Sequence, residues 1–215
     1  MTSRIIPGLK GNYKLLAPRL FFGVFSIFII DLSAIGETAK APETTPPVAG
    51  PVACLPSGDG YLRARLQGTI DATIDWPNAG TRCEGEERPG QGGVRLSFRR
   101  DPGSAPDLLF VFGVSRIREG QSAKGLGVNL TVILQGSSLI FGTRGDSRCT
   151  VDSLQQTRLT DDSRSAADNH RRRYRIEARG FCTQPAHAVR GEGSVLLTTF
   201  DFAGAVAFDL KEATT

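Results

Sequence analysis

Beyond residue 60, apolar and polar side chains alternate with a period of two along most of the chain. The first run is the longest. Leu62, Ala64, Leu66, Ile70, Ala72, Ile74 and Trp76 share one parity, and Arg63, Arg65, Thr69, Asp71, Thr73 and Asp75 the other. Successive side chains of a strand point to opposite faces, so this pattern predicts one long strand with a core face and a solvent face. Parity is unbroken across Gly68, which predicts a bulge or bend there rather than a hairpin. Trp76-Pro77-Asn78-Ala79-Gly80 ends the strand with turn chemistry.

The same rule predicts a strand over 94–99 and, from the near-continuous apolar run 107–114, one covered on both faces. Residues 128–134 and 139–141 read as a hairpin around Gln135-Gly136-Ser137-Ser138. Strands over 149–158 and 172–182 flank the polar loop Asp161–His170, and a last strand, bent at Gly204, runs from Val195 to Leu210. About eight short strands joined by Gly-rich turns, with no amphipathic helix longer than two turns, predict an all-β antiparallel sandwich or barrel.

Before residue 54 the alternation is absent. Arg4, Lys10, Lys14 and Arg19 precede an apolar run from Leu20 to Ile30, and Ala34 and Gly36 stand before Glu37 at small-residue exit positions. That order is the layout of a secretory signal, and its apolar run is shorter than the roughly 18–20 residues that cross a bilayer. Residues 37–53 are rich in Ala, Thr and Pro and read as an extended spacer. The expected organisation is a signal at 1–36, a linker at 37–53, one β-domain at 54–211 and a tail at 212–215. Two alternatives are an uncleaved N-terminal membrane anchor and lipidation of Cys54, the latter weakened by Pro51 where a branched apolar residue is usual.

Export changes the reading of the four cysteines, Cys54, Cys83, Cys149 and Cys182. An even number beyond the signal predicts two disulfides. Three pairings are open, and nearest neighbours, Cys54–Cys83 and Cys149–Cys182, are the expected ones. Each closes a loop of some thirty residues, for about 3–4 kcal/mol. Pairing Cys149 with Cys182 in a hairpin sets Val151 across from Gly180 and Gln155 across from Ile176, with the turn near Ser165. No CxxC is present and His170 and His187 are not spaced as ligands, so neither metal nor cofactor is expected.

Net charge is +4, and four of the basic residues lie in the signal. The mature domain is therefore near neutral, and nucleic acid is not an expected partner.

Candidate chemistry is sparse. Gly145-Asp146-Ser147 superficially resembles a hydrolase serine motif, but a turn is the simpler reading. His170 and His187 have no acidic partner nearby in sequence to orient a general base. Asp71 and Asp75, four apart on a strand, would lie about 13 Å apart, too far to share a calcium ion; ion pairing with Arg63 and Arg65 is expected instead. Glu84, Glu86 and Glu87 read as a solvated acidic loop. Arg171, Arg173 and Arg175 fall on one strand face, where they either attract anions or solubilise an edge.

The expected function is that of an exported, periplasmic or extracellular, non-enzymatic β-domain with a binding or scaffold role. One alternative is an anion- or glycan-binding module using Arg171, Arg173 and Arg175, with an anionic glycan, a lipid head group or another envelope protein as partner. A secreted hydrolase using Ser147 is a second alternative.

Overall fold

The structure is a computed structural model, and it describes residues 53–88, 92–101, 106–160 and 171–209. The chain divides into units at 1–46 and 47–215, and every described residue belongs to the second. That unit is all-β, with eleven strands in one sheet. They are β1 (Tyr61–Gly68), β2 (Ala72–Pro77), β3 (Thr81–Glu87), β4 (Gly93–Arg100), β5 (Leu108–Ser115), β6 (Leu126–Leu134), β7 (Ile140–Gly142), β8 (Cys149–Arg158), β9 (Arg171–Cys182), β10 (Ala186–Ala188) and β11 (Ser194–Asp209).

Pairing is antiparallel except for a single parallel bridge between Ala207 of β11 and Glu86 of β3. That bridge closes a hydrogen-bonded circuit, β11–β3–β4–β5–β6–β8–β9 and back to β11. Strand β11 carries β1 and β3 on one edge, and β10 and β9 on the other. Its sixteen residues make it the spine of the domain.

The inner face is filled by aromatic rings. Phe98, Phe110, Phe112, Phe200 and Phe202 are all at most 2% exposed. Phe112 lies 4.8 Å from Phe202 and 5.2 Å from Phe200, centroid to centroid, and Trp76 meets Phe110 edge-on at 5.4 Å. Offset and edge-on contacts suit the ring quadrupoles, and rings of this size dominate the burial term. Gly204 faces inward in β11 because a Cβ there would meet Phe98 Cζ at 2.9 Å. The expected bend is thus a site of close packing, in a strand that continues to Asp209.

Three sequence expectations need correction. The long first strand is a hairpin: β1 and β2 pair with Leu62 opposite Trp76 and Leu66 opposite Ala72. Opposed residue numbers sum to 138, an even number, so partners have equal parity and face the same side. Alternation therefore runs unbroken through the turn and cannot by itself tell a hairpin from a straight strand. Gly68, at φ 113°, is the end of β1. The acidic stretch after Cys83 is strand β3, with Glu84 and Glu86 outward and Gly85 inward against β11. The third correction concerns β8. Val151 does face Gly180, but Gln155 faces Glu177 and Gln156 faces Ile176. A bulge between Val151 and Ser153 inserts one residue and shifts the register. The turn expected near Ser165, and His170, lie outside the described residues. With β3, β10 and the split hairpin, the eight expected strands become eleven.

Both disulfides form in the expected pairing, Cys54–Cys83 and Cys149–Cys182. The second joins directly opposed residues of β8 and β9. The first fastens residues 53–60 across the sheet, and Asn78 completes that attachment. Its Oδ1 accepts from the Leu55 and Gly60 amides at 2.8 and 3.0 Å, and its Nδ2 donates to the Leu55 carbonyl at 3.0 Å.

Candidate functional site

Alternation along β9 turns Ile176, Ala178 and Cys182 inward and sends Arg171, Arg173 and Arg175 to the outer face. There they stand beside Asp209, Ala207 and Ala205 of β11. The three arginines do not act as one patch. Arg171 is paired to Asp209 at 2.8 Å. Arg173 lines an outer groove of about 490 Å³ together with Arg171, Arg95, Glu84 and Glu86, over a floor that includes Ala205 and Ala207. Small floor residues and the single bridge between β3 and β11 leave this surface concave. Arg95 stands directly across from Glu86 in the β3–β4 register, so cation and carboxylate alternate along its wall.

Arg175 belongs elsewhere. Its side chain is 18% exposed, and its guanidinium holds Asp59 and Glu177, each at 2.7 Å. Tyr61 extends the same network, donating its hydroxyl to Asp201 at 2.8 Å and to Glu177 at 3.4 Å. Burial, reinforced by that hydrogen bond and by the Asp201 and Glu177 charges, keeps the phenol protonated well above its ordinary range. For Arg175, burial opposes the charge, but Glu177 and Asp59 outweigh it and raise the pKa. The side chain is therefore committed to holding residues 53–60 on β9.

Charge balance continues across the neighbouring outer face. Asp75, Arg63, Asp201 and Arg179 stand in register on β2, β1, β11 and β9. Arg63 contacts Asp75 at 3.3 Å and Arg65 contacts Asp71 at 2.5 Å, as expected from sequence. Exposed pairs of this kind add little stability each, but they keep the sheet face soluble.

The remaining candidates are separated. Ser147 is exposed beside Asp146, whose carboxylate meets Arg88 at 3.7 Å. His187 sits on β10 opposite Gly142, and no hydrogen bond joins it to Ser147 among the described residues.

One feature escaped the sequence reading. The connection from β5 to β6, residues 116–125, is docked over one end of the sheet. Gln156 of β8 donates to the Arg118 and Gln121 carbonyls, both at 2.8 Å, and accepts from the Gly120 amide at 3.2 Å. Glu119 accepts from Arg172 Nη2 at 2.7 Å and bonds the Tyr174 hydroxyl. Ile117, 2% exposed, anchors the connection in the core. The apolar Ile117 among polar residues was the only local signal, and it is too short to read as an element.

No protein-family model, curated protein or solved structure matches this chain.

Proposed function

We propose that the chain is an exported, disulfide-bonded β-domain that acts by binding at its outer surface, without catalysis. The observation that carries this reading is the solid aromatic interior. Phe98, Phe110, Phe112, Phe200 and Phe202 occupy the space in which a sheet of this kind would hold a small ligand, so recognition falls to the outside. Two disulfides are consistent with an oxidising destination. The lack of a hydrogen bond between Ser147 and His187 among the described residues favours binding over hydrolysis.

Expression of the full chain in a secreting host tests export. Amino-terminal sequencing of the exported form should begin near Glu37, with all four cysteines oxidised. An intact Met1 with free thiols would overturn the reading. Hydrolysis that disappears on Ser147→Ala would overturn the non-enzymatic part.

A second reading is favoured by the groove itself. Arg95, Arg171 and Arg173 converge there, and guanidinium forks match carboxylate and sulfate oxygens. On a heparin column, Arg171→Glu with Arg173→Glu should lower the salt at which the protein elutes. Unchanged elution would remove the groove as an anion site.

A further inference from the structure

Four cations, three from one connection and one from β8, stand at the end of the sheet where β5 passes into β6. Arg116 opens the connection, Arg118 and Lys124 lie within it, and Arg158 ends β8; all four are exposed. Their grouping is built into the fold. Gln156 holds the backbone at Arg118, Gly120 and Gln121. Ala123 and Leu154 exchange backbone hydrogen bonds at 3.0 and 2.8 Å, which ties the Lys124 side of the connection to β8. Arg158 lies two residues beyond Gln156 on the same strand, opposite Tyr174.

The acid of the connection is taken up internally. Glu119 is held by Arg172 and Tyr174, whereas no ion pair links Arg116, Arg118, Lys124 or Arg158 to another described residue. Elsewhere on the outer surface opposite charges stand in register, as in the row Asp75, Arg63, Asp201 and Arg179. Asp146 lines the cavity that Arg116 enters, whereas Arg118, Lys124 and Arg158 have no ion pair with a described carboxylate and stand on a backbone held by hydrogen bonds.

We propose that this end of the domain docks an acidic polysaccharide carrying sulfate or uronic carboxylate groups along its length. The inference rests on the reading of an exported surface-binding domain, and it concerns a surface other than the groove. Lys124 is the only lysine among the described residues, so the cations on offer are almost all arginines, whose planar forks bind oxyanions two-pronged. The charges are spread along a connection and a strand end, which suits an extended chain of anions over a single small ion. The exposed large apolar side chains, Ile140, Phe181 and Val189, lie on or beside β7, β9 and β10, outside the connection itself. The connection presents no exposed large apolar side chain to a bilayer, which favours a polysaccharide over a membrane surface.

The test uses the mature, oxidised domain on immobilised heparin and in solution with polygalacturonate. Wild type should be retained in a salt-sensitive manner, and Arg118→Glu/Lys124→Glu/Arg158→Glu should lose that retention. The neutral set Arg118→Gln/Lys124→Gln/Arg158→Gln is run in parallel, and only variants that keep the wild-type circular dichroism and melting temperature are scored. Retention of a folded rim variant at wild-type strength would overturn the proposal. So would loss of binding in Arg171→Glu/Arg173→Glu alone, which would leave the groove reading standing. Absence of wild-type binding to either polymer, or binding only to phosphatidylglycerol vesicles, would also overturn it.

Discussion

The side-chain amide of Gln156 donates a hydrogen bond of 2.8 Å to the backbone carbonyl of Arg118, thirty-eight positions away. Through this contact and its two companions, a ten-residue connection full of polar side chains is tied to β8. A side-chain amide with both donor and acceptor matched to backbone groups replaces the ladder partner that the connection lacks.

Gln156→Ala removes all three bonds. Its expected cost is about 1–3 kcal/mol, because the carbonyls and the amide that it leaves behind are partly exposed and water can replace some of the loss. Hydrogen exchange should accelerate at residues 118–123 while the amides of β4 and β5 stay protected. Uniform acceleration throughout the sheet would contradict a local clamp.

Asn78→Ala should destabilise the domain by roughly 2–4 kcal/mol, since it strands the Leu55 and Gly60 amides and leaves the Leu55 carbonyl with only its bond from the Gly58 amide. A fall in the urea midpoint with an unchanged slope is the expected signature. Asn78→Asp separates the roles: it keeps the acceptor for the two amides and loses only the donor to Leu55, so it should cost less.

Phe112→Ala should cost about 3–5 kcal/mol, as it opens a cavity between Phe200 and Phe202 that neighbouring rings cannot fill. Denaturant unfolding followed by tryptophan fluorescence reads it directly, because Trp76 packs on the adjacent Phe110.

Acid should weaken the attachment of residues 53–60. The Ser57 hydroxyl lowers the Asp59 pKa below its ordinary 3.8; burial opposes it, and the Arg175 charge adds to the lowering. A carboxylate with a depressed folded-state pKa contributes stability above its unfolded pKa and loses it as pH falls through the folded value. The Asp59 contribution is thus present above about pH 4 and disappears below it. A pH series of melting temperatures should show a shallower acid limb for Asp59→Asn than for wild type, and superimposable limbs would contradict the assignment.

Separate reduction of the two bridges should have unequal local effects. Replacing Cys149 and Cys182 by serine should cost about 3–4 kcal/mol through the freed unfolded chain. Because both residues sit in the β8–β9 ladder, the loss is expected to be global. Serines at Cys54 and Cys83 should chiefly raise hydrogen exchange at residues 53–60. Exchange rates measured in both variants distinguish these outcomes.

Much of the fold was legible because alternation reports the inner face directly. Val94, Leu96 and Phe98, or Val128, Leu130 and Val132, are inward in the structure as their parity requires. The hairpin at Gly68 was not legible, since an even register sum preserves parity through the turn. Strand β3 was missed because Gly85 replaces a side chain at its inner position, where β11 passes too close for a Cβ. The bulge at Asp152 left no periodic trace until the register of β9 exposed it. For the site, the outward set Arg171, Arg173 and Arg175 followed from parity, but its division did not. Asp59 and Asp209, which hold Arg175 and Arg171, lie 116 and 38 positions away, and only the folded sheet brings them together. The rim was hidden for the same reason, because Arg158 joins Arg118 and Lys124 only through Gln156 and the Ala123–Leu154 backbone bonds.

The central claim is that the domain binds acidic polymers from outside, at the end closed by residues 116–125. An amide proton–nitrogen spectrum of the oxidised domain, titrated with a short heparin oligosaccharide, tests it most directly. Salt-sensitive shifts concentrated at residues 116–125 and 156–158, with the amides of β1 and β2 unmoved, are the expected result. Shifts confined to other strands, or an unchanged spectrum at saturating oligosaccharide, would contradict it.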